Sequence, residues 1–159
     1  MRATRRGESG LTFIEIMAVL VIMAICAVVA TPLVHHRYRS FKEAQLRAQL
    51  NMMRDAIDRY HEYAALGMIE PPDLDWNMYP ESLELLVEGV EVKLEADAKP
   101  VVIRFLRKIP EDPFTGEAEW DCRAYDEEPD DRNSRCDDIY DVFSRATGTA
   151  LDGSYYSEW

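Results

Sequence analysis

One stretch of the sequence limits the fold more than any other. From Leu11 to Val34 the chain reads LTFIEIMAVLVIMAICAVVATPLV, 24 residues whose only charge is Glu15. About 20 apolar residues wound as a helix suffice to cross the hydrocarbon core of a bilayer. A carboxylate inside such a helix costs roughly 2.5–3.5 kcal/mol on insertion scales. Glu15 therefore needs a partner, and neither a cleaved secretory signal, which would end near Val28-Val29-Ala30, nor a plain membrane anchor supplies one. Arg2, Arg5 and Arg6 against Glu8 make the preceding tip basic. By the positive-inside rule the N-terminus is expected in the cytoplasm, although His35, His36, Arg37, Arg39 and Lys42 weaken the bias.

The residues around Glu15 point to the partner. Ser9-Gly10-Leu11-Thr12-Phe13-Ile14-Glu15 resembles the cleavage motif of type IV pilins and of the pseudopilins of type II secretion. The resemblance implies that a prepilin peptidase cuts between Gly10 and Leu11. It implies that Leu11 carries the N-methylated amine, and that Glu15 stands fifth in the mature chain, where the family keeps a glutamate. The physics fits that implication. The new ammonium of one subunit can pair with Glu15 of a neighbour, offsetting the desolvation of both ions and setting the register between subunits. Thr12 can add a hydrogen bond beside them. The first mature residue departs from the family, which usually has Phe there. Pro32 offers no N–H to the Val28 carbonyl, so the helix is expected to bend or loosen at that point. In the resembled family a proline there marks a segment that can lose helicity on filament packing.

Beyond the apolar run, residues 33–66 read as a continuing helix. Leu46, Leu50, Met53, Ile57, Tyr60 and Ala64 recur at helical spacing and define one face, expected to carry the core. Glu43–Arg47, Arg54–Asp58 and Asp55–Arg59 stand as opposite charges four residues apart. Gly67 is a stop signal, and Pro71-Pro72 exclude continuation. Tyr79 to Val87 reads as a short helix with Pro80 in its first turn and Gly89 at its end. Residues 98–108 fit helix or strand equally. Ala118, Trp120, Cys122 and Ala124 alternate with charged residues as a half-buried strand does, Ile139–Ser144 reads as a second strand, and Tyr155-Tyr156 as the start of a last short one. Asp152-Gly153 marks a turn. The fold class expected is α+β: a long N-terminal helix, half membrane and half soluble, packed on a small C-terminal antiparallel sheet with short helices. Tyr79-Pro80, Ile109-Pro110-Glu111-Asp112-Pro113 and Asp141-Val142-Phe143-Ser144 resemble features of the protein G-type major pseudopilins. The implied organisation is a leader over 1–10, a transmembrane and assembly helix over 11–34, and a periplasmic head over 35–159.

Charge and composition exclude other classes. The chain has 159 residues, 30 acidic and 18 basic, for a net charge of −12. Such an acidic chain repels phosphate backbones, so nucleic acid is not an expected partner. An apolar content of 47% is too high for an acidic disordered chain. Residues 111–141 hold 13 acidic side chains against Arg123, Arg132 and Arg135. This reads as a solvated acidic loop. Calcium, which takes six to eight oxygen ligands, is the alternative. Many protein G-type pseudopilins bind calcium after the corresponding strand, but here Arg145-Ala146-Thr147-Gly148 places Thr147 where their aspartate stands. Asp152 is then the one weak calcium candidate, and no metal site is expected. Cys122 and Cys136 would face an oxidising periplasm, where a disulfide between them is permitted. Cys26 reads as a small apolar residue. His35, His36 and His61 belong to no nucleophile motif, and there is no phosphate loop, so no enzyme is expected.

These expectations define an inner-membrane, single-pass subunit with its head in the periplasm. It assembles as a homo-oligomeric filament that drives protein export. The partners implied by the resemblance are the prepilin peptidase, the inner-membrane assembly platform and minor pseudopilins. Two rivals share parts of the pattern: a type IV pilus pilin or minor pilin, and a periplasmic enzyme or binding module behind a secretory signal.

Overall fold

The computed structural model describes residues 12–72, 76–94, 99–127, 136 and 138–159, with the backbone alone over 28–34. Its elements, in chain order, are α1 (Phe13–Ala65), α2 (Leu83–Glu88), β1 (Val90–Val92), β2 (Val101–Ile103), β3 (Asp121–Ala124), β4 (Ile139–Phe143) and a 3-10 turn at Tyr156–Glu158. The architecture is α+β and pilin-like. The chain divides into two compact units, Met1–Arg39 and Ser40–Trp159.

In the second unit the core lies on one face of α1. Leu46, Leu50, Met53, Ile57, Tyr60 and Ala64, the six residues of the sequence stripe, are all buried, and Ala56 joins them. Leu86, Val92, Phe105, Trp120, Ile139, Val142 and Tyr156 complete the same cluster. The helix stops at Gly67, whose φ of 69° suits a residue without Cβ. The Gly67 N–H donates to the Ala64 carbonyl and the Met68 N–H to the Tyr63 carbonyl, a Schellman closure that satisfies two terminal carbonyls.

Two small antiparallel sheets complete the head. In the first, β1 pairs with β2 in the register Val90↔Ile103, Glu91↔Val102, Val92↔Val101. In the second, β3 pairs with β4, with an irregularity between Arg123 and Ala124. Gly89 fixes the approach of α2 to β2. Its φ is 97°, and a Cβ there would meet Val102 Cγ1 at 2.8 Å and Arg104 Cγ at 2.9 Å.

Several sequence expectations change. Within the segment 98–108, Val101–Ile103 forms a strand, because β1, which no sequence signal marked, pairs with it. The short helix begins at Leu83 rather than at Pro80. Ser82 caps it by accepting from the Leu85 N–H, so the polar side chain and not the proline sets its start. Tyr156 starts a 3-10 turn rather than a strand, although Thr149 and Tyr155 form an isolated bridge. The helix assignment continues through position 32, so the proline does not end α1. The charges of α1 reach across the head instead of along the helix. Arg47 pairs with Asp152 at 2.9 Å and Arg54 with Asp141 at 2.7 Å. Arg59 donates to the Asp55 carbonyl, not its carboxylate, and to the Phe105 carbonyl. A tertiary partner that is already positioned by the fold outcompetes an exposed helical pair, which yields only a few tenths of a kcal/mol.

Candidate assembly site

The first unit carries the residues that the sequence reading expects to act in assembly. From Phe13 to Ala27 the side chains of α1 are exposed all the way round, with fractional exposure from 46% at Ile16 to 81% at Phe13 for the large apolar ones. A helix that is apolar on every face needs a surrounding apolar phase or neighbouring helices. Glu15 is the one charge in this stretch. Its carboxylate accepts from the Thr12 N–H, and the Thr12 hydroxyl accepts from the Glu15 N–H, both at 3.4 Å. Thr12-Phe13-Ile14-Glu15 is therefore a reciprocal capping box at the start of α1. The Glu15 and Ile16 N–H groups also donate to the Thr12 carbonyl. The Thr-x-x-Glu spacing is present in the sequence as a capping-box signal.

Gly10 and Leu11, the expected processing site, lie outside the described residues. Pro32 is in the helix, and its side chain also lies outside them. Among the described residues no helix is long and apolar enough to cross a membrane. The expected span of 11–34 includes Leu11 and the side chains of 28–34, which are not described.

The head holds the other named residues. Cys122 on β3 and Cys136 are joined as a disulfide, with Cα atoms 5.4 Å apart. Asp152 is committed within the chain. Its carboxylate accepts from the Ser154 hydroxyl, the Ser154 N–H and the Arg47 guanidinium, and these donors, Ser154 above all, hold it below the usual carboxylate range. Among the described residues no group of three His, Cys, Asp or Glu side chains could hold a metal ion. Arg145 forks between Asp121 and Glu119, and the hydrogen bond to Asp121 holds its guanidinium above the ordinary arginine value.

Three polar nodes tie the head together. Asp112 is fully buried, and its carboxylate accepts from the Phe114 N–H at 2.7 Å, the Thr115 N–H at 3.4 Å and the Ser144 hydroxyl at 2.5 Å. The Ser144 oxygen in turn accepts from the Ala146 N–H at 3.0 Å. Thus the Pro-Glu-Asp-Pro loop is bolted to the residue after β4. The sequence motifs at 109–113 and 141–144 located both partners, while their bond is visible only in the fold. Arg54 is the second node: Nε donates to Asp141, and Nη2 to the carbonyl oxygens of Val142 and Trp159. Glu43 is the third, buried and accepting from the Leu151 N–H and the Tyr156 hydroxyl, both at 2.9 Å. The histidine expected on the long helix, His61, stacks on Tyr79 at 4.3 Å.

Comparison with known proteins bears on the N-terminal region. A family model described as the prokaryotic N-terminal methylation motif matches residues 5–31. Neither the curated proteins nor the solved structures return a match. The match supports a leader of the type IV pilin and pseudopilin kind, a class of structural subunits processed and assembled through the N-terminal helix. It covers Arg5, Arg6, Gly10 and Glu15.

Proposed function

We propose that this chain is the structural subunit of a periplasmic pseudopilus of a type II protein secretion system. The observation that carries the reading is the helix start at 12–27. It is apolar on every face, exposed, interrupted by one carboxylate, and contained within the methylation-motif match. In this reading the segment 11–34 spans the inner membrane, the head faces the periplasm, and the peptidase removes residues 1–10. The freed amine of Leu11 pairs with Glu15 of an adjacent copy. Each added subunit advances the filament by one register step, and the advancing filament pushes exported proteins outward. The resemblance at Tyr79-Pro80 and at 109–113 favours the secretion pseudopilus over a pilus that shares the same leader.

The test is to co-express the full chain with a prepilin peptidase and determine the mature N-terminus by mass spectrometry. The expected product begins with a methylated Leu11. A product beginning at Thr31 would identify a secretory signal and sink the proposal. In the same cells Glu15→Ala is expected to leave processing intact and abolish filaments, and normal filaments in that variant would refute the pairing role.

A further inference from the structure

The head carries two surfaces that the reading above does not use. The first is the rim of β2. Val101 and Val102 are 51% and 53% exposed, and the outer edge of β2 has no strand partner among the described residues. Lys99 and Arg104 flank this strand, and Arg107 and Lys108 follow. All four are exposed and none makes an ion pair among the described residues, whereas Arg47, Arg54, Lys93 and Arg145 all do. In a chain with a net charge of −12, this stretch gathers four cations with no acid and forms a local positive field.

The second surface lies on the other sheet. Tyr125, which follows β3, and Tyr140 on β4 are 57% and 48% exposed. They are not loose side chains. Their rings meet at 5.8 Å, and both rest on buried Tyr79, at 5.3 and 5.5 Å. Asp126, exposed, follows Tyr125 in the sequence, and Asp58, exposed on α1, acts electrostatically on the Tyr79 hydroxyl. A rigid set of tyrosine faces edged by carboxylates suits a cation, which is drawn by the ring quadrupole and the negative field together.

We propose that the basic rim of β2 in one copy docks on the Tyr125–Tyr140 platform of the next copy. The two surfaces are complementary in charge and sit on different sheets of the same head. A contact between unlike patches of identical chains is heterologous, and where its rotation does not close into a ring it builds an open helical array rather than a two-fold dimer. The proposal rests on the filament reading and adds a head-to-head contact to the one at Glu15.

The test uses the full chain, processed and assembled in cells. The first variant, Lys99→Glu with Arg104→Glu, makes the rim acidic. The second, Tyr125→Arg with Tyr140→Arg, makes the platform basic. Each alone is expected to reduce filament yield about tenfold, since each turns an attraction into a repulsion. The two pairs combined in one chain are expected to restore most of the yield. All four side chains are exposed, and an unchanged thermal midpoint separates a lost contact from a lost fold. Wild-type yield from either single-patch variant, or a combined variant no better than its parents, overturns this contact while leaving the filament reading standing. A wild-type chain that forms no filament refutes the filament reading itself.

Discussion

Ser144→Ala removes one oxygen that serves two buried groups. In the wild-type head the Ser144 hydroxyl donates to Asp112 and accepts from the Ala146 N–H at 3.0 Å. Asp112 and Ser144 are both fully buried, so water does not replace the lost bonds. A hydrogen bond to a charged group contributes about 1.5–3 kcal/mol, and an orphaned backbone N–H costs about 1–3 kcal/mol. Because the two losses share one site they do not add fully, and the expected destabilisation is about 2–4 kcal/mol. Asp112→Asn is the informative companion. Its carbonyl keeps the bond to the Phe114 N–H, while its new amide can donate to the Ser144 oxygen, so a cost of about 1 kcal/mol is expected. Urea unfolding of the full chain in detergent, followed by tryptophan fluorescence, measures both. Trp120 is a local reporter, since its indole N–H donates to the Pro110 carbonyl at 2.9 Å in the same loop. A Ser144→Ala chain within about 0.5 kcal/mol of wild type, or an Asp112→Asn chain less stable than Ser144→Ala, would refute the reasoning.

Three further outcomes are expected. Arg54→Lys, whose single ammonium cannot reproduce the fork to Asp141, Val142 and Trp159, should cost about 1–2 kcal/mol, read as a lower thermal midpoint. Replacing both Cys122 and Cys136 by serine opens a loop with a sequence separation of 14 and should cost about 3 kcal/mol in the same urea assay. Alkaline titration should weaken the head through Tyr60, whose hydroxyl is pushed up from 10.0 to about 12 by burial and by the charges of Glu81 and Asp138. The unfolded chain loses this proton first. Stability is therefore fully present below pH of about 10 and falls by up to about 2–3 kcal/mol as pH rises toward about 12. Tyr60→Phe should flatten that slope.

What the sequence could reveal followed from range. The stripe from Leu46 to Ala64 was legible because helical spacing is a local property, and a single face gathers the core. Gly67 was legible because a left-handed cap nearly demands glycine. Strand β1 was not, since three residues carry too little periodicity to separate from a loop, and only its pairing with β2 defines it. The charges at Arg47 and Arg54 misled for the same reason. Partners four residues away were visible in the sequence, whereas Asp152 and Asp141, which win them, lie 105 and 87 residues away. The candidate assembly site splits likewise. Glu15 in its apolar run announced itself as a lone charge, but its bonds to Thr12 depend on the backbone of the first turn.

Those bonds bear on how a subunit waits. In the proposed assembly, a carboxylate bound for a neighbour's ammonium must exist for a time without it. The capping box gives it an interim partner: the Thr12 N–H, together with the positive end of its own helix, receives the charge. At 3.4 Å the contact is long for a hydrogen bond, strong enough to orient the side chain and weak enough to release. Under the proposed assembly, joining the filament becomes an exchange of one donor for a better one rather than the rescue of a bare ion. The barrier to adding a subunit, and to losing one, would then depend on Thr12 as well as on Glu15.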